Sequence, residues 1–235
     1  MKVKDSLTFL INFVFPNNCI VCSAKSGFYL CDKCLNSIKI YDKKRCSICS
    51  RPILSGDICG VCLSTTRYYS NGYSLFNYKN DTIKKIIEFI KFFNNPKLVN
   101  FLFYFRKEIL NLAIFDGVEC IVPSPMHKDD IRARGYNQSV SISKVLSKIT
   151  GLPVCYDMIL KIKKTKKQVG LNYNGRKRNL SGAFQFCKSY NVKKVLIVDD
   201  VFTTGSTINE CAKILKSREI ESNFFTIAIT PSYSD

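Results

Sequence analysis

The sequence predicts an α/β protein built on a parallel sheet, preceded by a small cysteine-rich module that folds around metal. Three observations carry this prediction. Apolar runs such as Val195–Val198 lack alternation, which suits strands covered on both faces. Such runs are separated by stretches with a 3.6-residue apolar period, and strands alternating with helices give a parallel sheet. Finally, eight cysteines fall in four Cys-x-x-Cys pairs confined to residues 19–62. The boundary is expected after residue 66, with the metal module in 1–66 and the α/β domain in 67–235.

Length and composition set the outer limits. A chain of 235 residues has room for one α/β domain and a small appendage. It is 46% hydrophobic and 23% charged, ordinary values for a folded soluble protein. Lys+Arg 36 against Asp+Glu 18 gives a formal charge of +18, which predicts attraction to polyanions.

At the amino terminus Lys2 and Lys4 precede the apolar stretch Leu7–Phe15, a pattern that resembles a secretion signal. No small-residue cleavage site follows, and Leu7, Leu10, Ile11 and Val14 lie at helical spacing, so a short docking helix is expected instead. No stretch reaches the length of a membrane span, and a cytoplasmic location is expected.

The paired cysteines are Cys19/Cys22, Cys31/Cys34, Cys46/Cys49 and Cys59/Cys62, with eight, eleven and nine residues between successive pairs. One knuckle brings two thiolates to an ion, and two knuckles complete a tetrahedron. Two structural Zn²⁺ sites follow, with all four positions of each filled by protein. Sequential pairing is expected, although crossed pairing uses the same ligands. Iron in a rubredoxin-like site and redox-active Cys-x-x-Cys are the competing readings. Eight thiolates and two Zn²⁺ would lower the formal charge from +18 by four, to +14.

The α/β domain opens with strand-prone residues from Tyr68 to Tyr78. Ile83, Ile86, Ile87 and Ile90 mark one amphipathic helix, and Leu98, Phe101, Leu102, Phe105 and Ile109 a second. The aromatics Phe92, Phe93, Phe101, Phe103, Tyr104 and Phe105 are read mostly as core, with base stacking as the other use. Val118–Val122 is the next strand. It leads through Pro123-Ser-Pro125 into a loop, His127–Gln138, that should face the ligand crevice. His127, the single histidine, reads as a loop-ordering residue rather than a base. A helix follows with Val140, Ile142, Val145, Leu146 and Ile149 inward.

Residues 161–180 hold eight Lys/Arg and no acid, the densest basic patch in the chain. Such a run is either a solvated loop or a lid over an anion site. Lys163, Lys164, Lys166, Lys167, Arg176 and Arg178 are its candidates for contacting nucleic-acid phosphates. The chain returns to strand at Gly182-Ala-Phe184, and Phe224–Ile229 is the last strand.

Everything else is arranged around Val195-Leu-Ile-Val-Asp-Asp-Val-Phe-Thr-Thr-Gly-Ser-Thr207. Asp199 and Asp200 stand at a strand end, able to accept hydrogen bonds from sugar hydroxyls or to hold a divalent cation through water. The turn Thr203-Thr204-Gly205-Ser206-Thr207 then opens a helix with Ile208, Cys211, Ala212 and Leu215 on its apolar face. Unpaired N–H groups and the positive dipole end suit such a turn to a phosphate. Phosphate, diol and metal together describe a ribose-5-phosphate ligand.

This stretch resembles the phosphoribosyl-diphosphate (PRPP) loop of type I phosphoribosyltransferases, with Phe202 bulkier than the aliphatic residue usual there. The resemblance implies a PRPP-binding fold of that class. Asp199 and Asp200 would act on the ribose and, indirectly, on Mg²⁺; residues 203–207 would bind the 5-phosphate, and Lys128 and Arg134 the pyrophosphate.

Further motifs narrow it: Pro123-x-Pro125, Arg134-Gly-Tyr-Asn-Gln138, Thr165-x-x-Gln168-x-x-Leu171, Arg176-x-x-Asn179 and Gly182-Ala-Phe184. In this order they resemble the competence protein F family, which joins an amino-terminal zinc ribbon to a phosphoribosyltransferase-like domain. Asp129 and Asp130 stand where that family usually carries basic residues. The resemblance implies a cytoplasmic DNA-handling role in natural transformation. Single-stranded DNA and PRPP would be its ligands, and a DNA helicase or translocase of the competence machinery its partner. The alternative is an active phosphoribosyltransferase using PRPP and an unidentified acceptor.

Overall fold

The computed structural model describes residues 18–93, 95–165, 180 and 182–231. The expected docking helix at 1–15 and the basic residues Lys166, Lys167, Arg176 and Arg178 lie outside the described residues.

Four strands form one parallel sheet in the order β1–β6–β5–β2: β1 (Gly72–Asn77), β2 (Cys120–Pro123), β5 (Lys194–Phe202) and β6 (Glu221–Ile229). The unbroken apolar runs have the predicted cause. Leu196 and Val198 of β5 point into one core cluster, Val195 and Ile197 into another on the opposite face. In β6 the adjacent Phe224 and Phe225 divide the same way. Gly72 lets β1 pass the Phe224 ring, since a Cβ there would meet Phe224 Cε1 at 1.8 Å.

Helix α3 (Asp81–Phe92) buries Ile83, Ile86, Ile87 and Ile90, as its period predicts, and Asn80 caps it by accepting from the Ile83 N–H at 3.1 Å. The second predicted helix differs in winding. Residues Pro96–Phe105 form a 3₁₀ helix that passes into a short α helix, α4 (Arg106–Leu110), yet Leu98, Phe101, Leu102, Phe105 and Ile109 are buried as expected. Valine, asparagine and clustered aromatics are modest helix formers, so tertiary packing sets the winding here. The aromatics also depart from the expectation of a mostly buried set. Phe101 and Phe105 are core, whereas Phe92, Phe93, Phe103 and Tyr104 are exposed.

The stretch expected as a loop after β2 contains a helix, α5 (Lys128–Arg134). His127 caps it by accepting from the Asp129 N–H, and Gly135 ends it at φ 88°. A left-handed C-cap favours glycine, and this one closes the helix just before α6 (Gln138–Thr150) begins. Residues Ile159–Lys161 (β3) and Phe184–Phe186 (β4) pair antiparallel as a separate two-stranded sheet, so the 161–180 segment runs between its strands. Helix α7 (Ser206–Lys216) buries Ile208, Cys211, Ala212 and Leu215.

The cysteine module contains two short helices, α1 (Asp32–Asn36) and α2 (Gly60–Ser64), and enters both faces of the domain. Cys19 and Cys34 join the cluster holding Leu75, Phe76 and α3, while Cys46, Cys49, Cys59 and Cys62 join the one holding Phe202, Ile208 and Phe224.

Candidate functional site

The two acids sit inside the carboxyl end of β5 rather than beyond it, because β5 extends to Phe202. Neighbouring strand residues point to opposite faces, so two adjacent carboxylates need separate partners. Asp199 Oδ1 accepts from the Ser139 hydroxyl at 3.0 Å and from the Asp200 N–H at 2.9 Å. Asp200 Oδ2 accepts from Gln138 Nε2 at 3.0 Å and lies 3.2 Å from Lys91 Nζ. Burial, then the charge of Asp200, pushes the Asp199 carboxyl up to about 7, against the bonds from Asp200 N–H and Ser139. Burial, the largest single influence, pulls Lys91 down, but the charge and hydrogen bond of Asp200, with the charges of Tyr78 and Asp199, together leave Lys91 above the usual lysine value.

The Arg134–Gln138 motif thus has a physical role in holding the acids. Asn137 caps α6 by accepting from the Ser139 N–H at 2.9 Å and donates to the Ser124 carbonyl at 3.0 Å, joining the helix to the Pro123-x-Pro125 turn. Arg134 Nη1 donates to Gln138 Oε1 at 2.7 Å, which leaves the amide nitrogen aimed at Asp200. The Tyr136 hydroxyl donates to the Ile90 carbonyl and ties the motif to the end of α3, next to Lys91. Sequence reasoning placed Arg134 on a ligand; here its guanidinium orients Gln138.

The 203–207 turn follows at once. Gly205 is the N-cap of α7 with φ 74°, and Thr204 Oγ1 accepts from the Ser206 N–H at 3.4 Å. The hydroxyls of Thr204 and Ser206 lie 2.9 Å apart beside it. Phe202, the bulky departure in the loop pattern, is explained by its packing. Its ring stacks on Phe224 at 4.9 Å, and a Cβ at Gly205 would come 2.5 Å from it. Glycine is therefore required for both its φ and its closeness to the ring.

The other predicted basic residues are spread around this centre. Lys128 is exposed at the start of α5, and Lys163 and Lys164 are exposed just after β3. Lys164 Nζ lies 3.7 Å from Asp129 Oδ2, so the segment after β3 reaches α5. Asp129 also has Arg132 Nη1 at 3.8 Å, so two cationic side chains flank this acid. Lys161 feels the charges of Asp130 and Asp199, although burial is the larger influence and pulls its ammonium below the usual value. Sequence reasoning did not single out Lys91 or Ser139, and it named Gln138 only within the Arg134–Gln138 motif; all three reach the acids from elements far away in the chain.

The cysteines converge sequentially. Cys19, Cys22, Cys31 and Cys34 form one cluster and Cys46, Cys49, Cys59 and Cys62 the other, with the sulfurs of each within 4.8 Å of one another. A tetrahedral Zn–S₄ centre needs sulfurs about 3.8 Å apart, and both Cys22–Cys31 and Cys49–Cys59 stand at 3.6 Å. Both clusters fit zinc, and crossed pairing is excluded by the geometry. No described helix is long and apolar enough to cross a membrane.

Comparison with known proteins finds two family models and several relatives. Residues 10–63 match the family model of the double zinc ribbon domain, and residues 128–230 that of the phosphoribosyl transferase domain. Competence protein F of Haemophilus influenzae is 29% identical over 213 residues, covering 82% of this chain and 93% of that protein. DNA utilization protein YhgH of Escherichia coli is 27% identical over 208 residues, covering 85% and 91%. A hypoxanthine phosphoribosyltransferase from Trypanosoma cruzi aligns at 13% identity over 59% of this chain and 77% of its own, with a TM-score of 0.32.

Proposed function

Taking the chain as one of the homologues of competence protein F, a double zinc ribbon followed by a phosphoribosyltransferase-like domain, we propose that it handles single-stranded DNA in the cytoplasm during natural transformation and binds PRPP with Mg²⁺ at the end of β5. The observation that carries the PRPP site is the pair Asp199 and Asp200, each bonded to a residue at the start of α6, with the left-handed Gly205 turn just after them in the chain. Asp199, raised to about 7, is in the protonation range where a cation or a ribose diol can draw it into the ionised form. The turn N–H groups, with Thr203, Thr204, Ser206 and Thr207, receive the 5-phosphate. Lys128, Lys161 and Lys164 are the proposed partners of the pyrophosphate.

Mg²⁺ bound there would neutralise the diphosphate; this chain's own acids would orient the ribose hydroxyls and hold the ion through water. The DNA reading is supported by the net charge and by Lys163 and Lys164, both exposed just after β3. Exposed Phe92 and Phe93 beside Lys91 offer rings on which bases can stack. A helicase or translocase of the competence machinery is the proposed protein partner.

The test separates carrier from enzyme. Single-stranded DNA added to the protein with Mg·PRPP should bind without release of pyrophosphate. Stoichiometric or catalytic pyrophosphate release would instead make the chain a phosphoribosyltransferase.

A further inference from the structure

Arg51 belongs by sequence to the second cysteine cluster, two residues after Cys49, yet its side chain ends in the α/β domain. Its residue is 6% exposed. Nη2 donates to the Thr203 carbonyl at 2.7 Å, and Cζ lies 5.5 Å from the centre of the Phe202 ring. Arg51, Phe202 and Phe224 therefore form a stack, with Gly205 pressed against the middle ring. The stack holds the residues on either side of Thr204.

Arg51 is itself fixed by the metal knuckle. Its carbonyl accepts from the Cys46 N–H at 2.7 Å, and the intervening Ser50 is held at φ 61°. The Ser50 hydroxyl accepts from the Ser74 N–H at 3.1 Å and from Arg45 Nη1 at 3.2 Å, which ties the knuckle to β1. On the other side of the turn, Asn209 in α7 accepts from the Tyr68 N–H at 3.0 Å and donates to the Thr66 carbonyl at 3.2 Å. Residues Thr66–Tyr68 are the chain leaving the last cysteine pair, so the 203–207 turn is gripped from both ends by the second cluster. The first cluster packs against Leu75, Phe76 and α3 on the opposite face.

We infer that Arg51 is a positioning residue for the phosphate turn, and that through it the second metal site, but not the first, controls ligand binding in the pocket. The inference rests on the reading of residues 203–207 as the phosphate site. A guanidinium is uniquely suited to the task, because it can donate to a carbonyl in its plane while lying flat on a ring. An ammonium cannot do both at once. Loss of metal from Cys46, Cys49, Cys59 and Cys62 would release Ser50 and Arg51 and withdraw the guanidinium.

The test uses the full-length zinc-loaded protein with R51K and R51M, read by amide hydrogen exchange and by Mg·PRPP titration. Both variants should keep two zinc ions per chain. Amides of 203–207 should exchange about tenfold faster than in the unmodified protein, with those of β6 unchanged. Affinity for Mg·PRPP should fall by a similar factor. Unchanged exchange at 203–207 in either folded variant would overturn the inference, as would faster exchange with undiminished affinity. Faster exchange in variants of a protein that never binds PRPP would leave Arg51 as the turn's anchor and defeat the PRPP reading instead.

Discussion

Lys91 Nζ lies 3.2 Å from Asp200 Oδ2, which joins the last turn of α3 to the strand that carries both acids. The pair is largely out of water, with the lysine side chain 23% and the aspartate side chain 8% exposed. Removing one member of such a pair strands the other. Lys91→Met should lower stability in denaturant by about 2–3 kcal/mol. Adding Asp200→Asn should restore part of that loss. Equal stability of Lys91→Met and the unmodified protein would show that the pair contributes nothing.

The two carboxylates give a pH signature of unusual sign. Asp199 is raised on folding from 3.8 to about 7, so the folded chain keeps this proton longer than the unfolded chain. Its contribution is therefore fully present below about pH 4 and is lost as pH rises toward 7. Asp199→Asn should remove that falling limb and raise the melting temperature at pH 8 by about 2–4 °C per kcal/mol relieved. Melting curves from pH 5 to 8 with the same slope in both proteins would contradict the assignment.

The metal clusters predict a stoichiometry. Elemental analysis should return two zinc ions per chain, and Cys31→Ser or Cys46→Ser should each leave one. Because Cys31 packs against one of the two core clusters that flank the sheet and Cys46 lies in the other, both variants should melt at lower temperature as whole molecules. Iron, or eight free thiols and no metal, would refute the zinc assignment.

Much of this was readable in advance where the signal is local. The cysteine pairs and the strand and α3 residues follow from spacing and period. The Asp-Asp…Thr-Thr-Gly run reads as a strand end, turn and helix start because its parts are adjacent in sequence, and β5 and α7 meet there. What could not be read is long-range. Gln138 meets Asp200 across 62 residues, and Arg51 meets Thr203 across 152. Lys91 follows Ile90 on the shoulder of an amphipathic helix, where lysine usually marks solvent. Arg134, read as a ligand for anions, also donates from Nη1 to Gln138, four residues on. The α5 helix was hidden by a glycine that proved to be its C-cap.

Binding of single-stranded DNA should depend on salt. On a log–log plot the slope is about −0.7 per phosphate contacted. If four or five basic groups engage, it should be roughly −3. Changing Lys163, Lys164, Lys166 and Lys167 to Gln should make it shallower by about two units, if most of them touch phosphate. A slope near zero would assign the affinity to stacking on rings such as Phe92 and Phe93. An undiminished slope in the quadruple variant would place the DNA elsewhere.

The central claim is that Asp199, Asp200 and the turn after them form a PRPP site, and calorimetric titration of Mg·PRPP into the zinc-loaded protein tests it most directly. The expected result is saturable binding to the unmodified chain, weakened at least about a hundredfold in Asp199→Asn/Asp200→Asn, whose two charge-assisted contacts are gone. Zinc content should be unchanged in that variant. No binding by the unmodified protein, or equal binding by the double variant, would contradict the account.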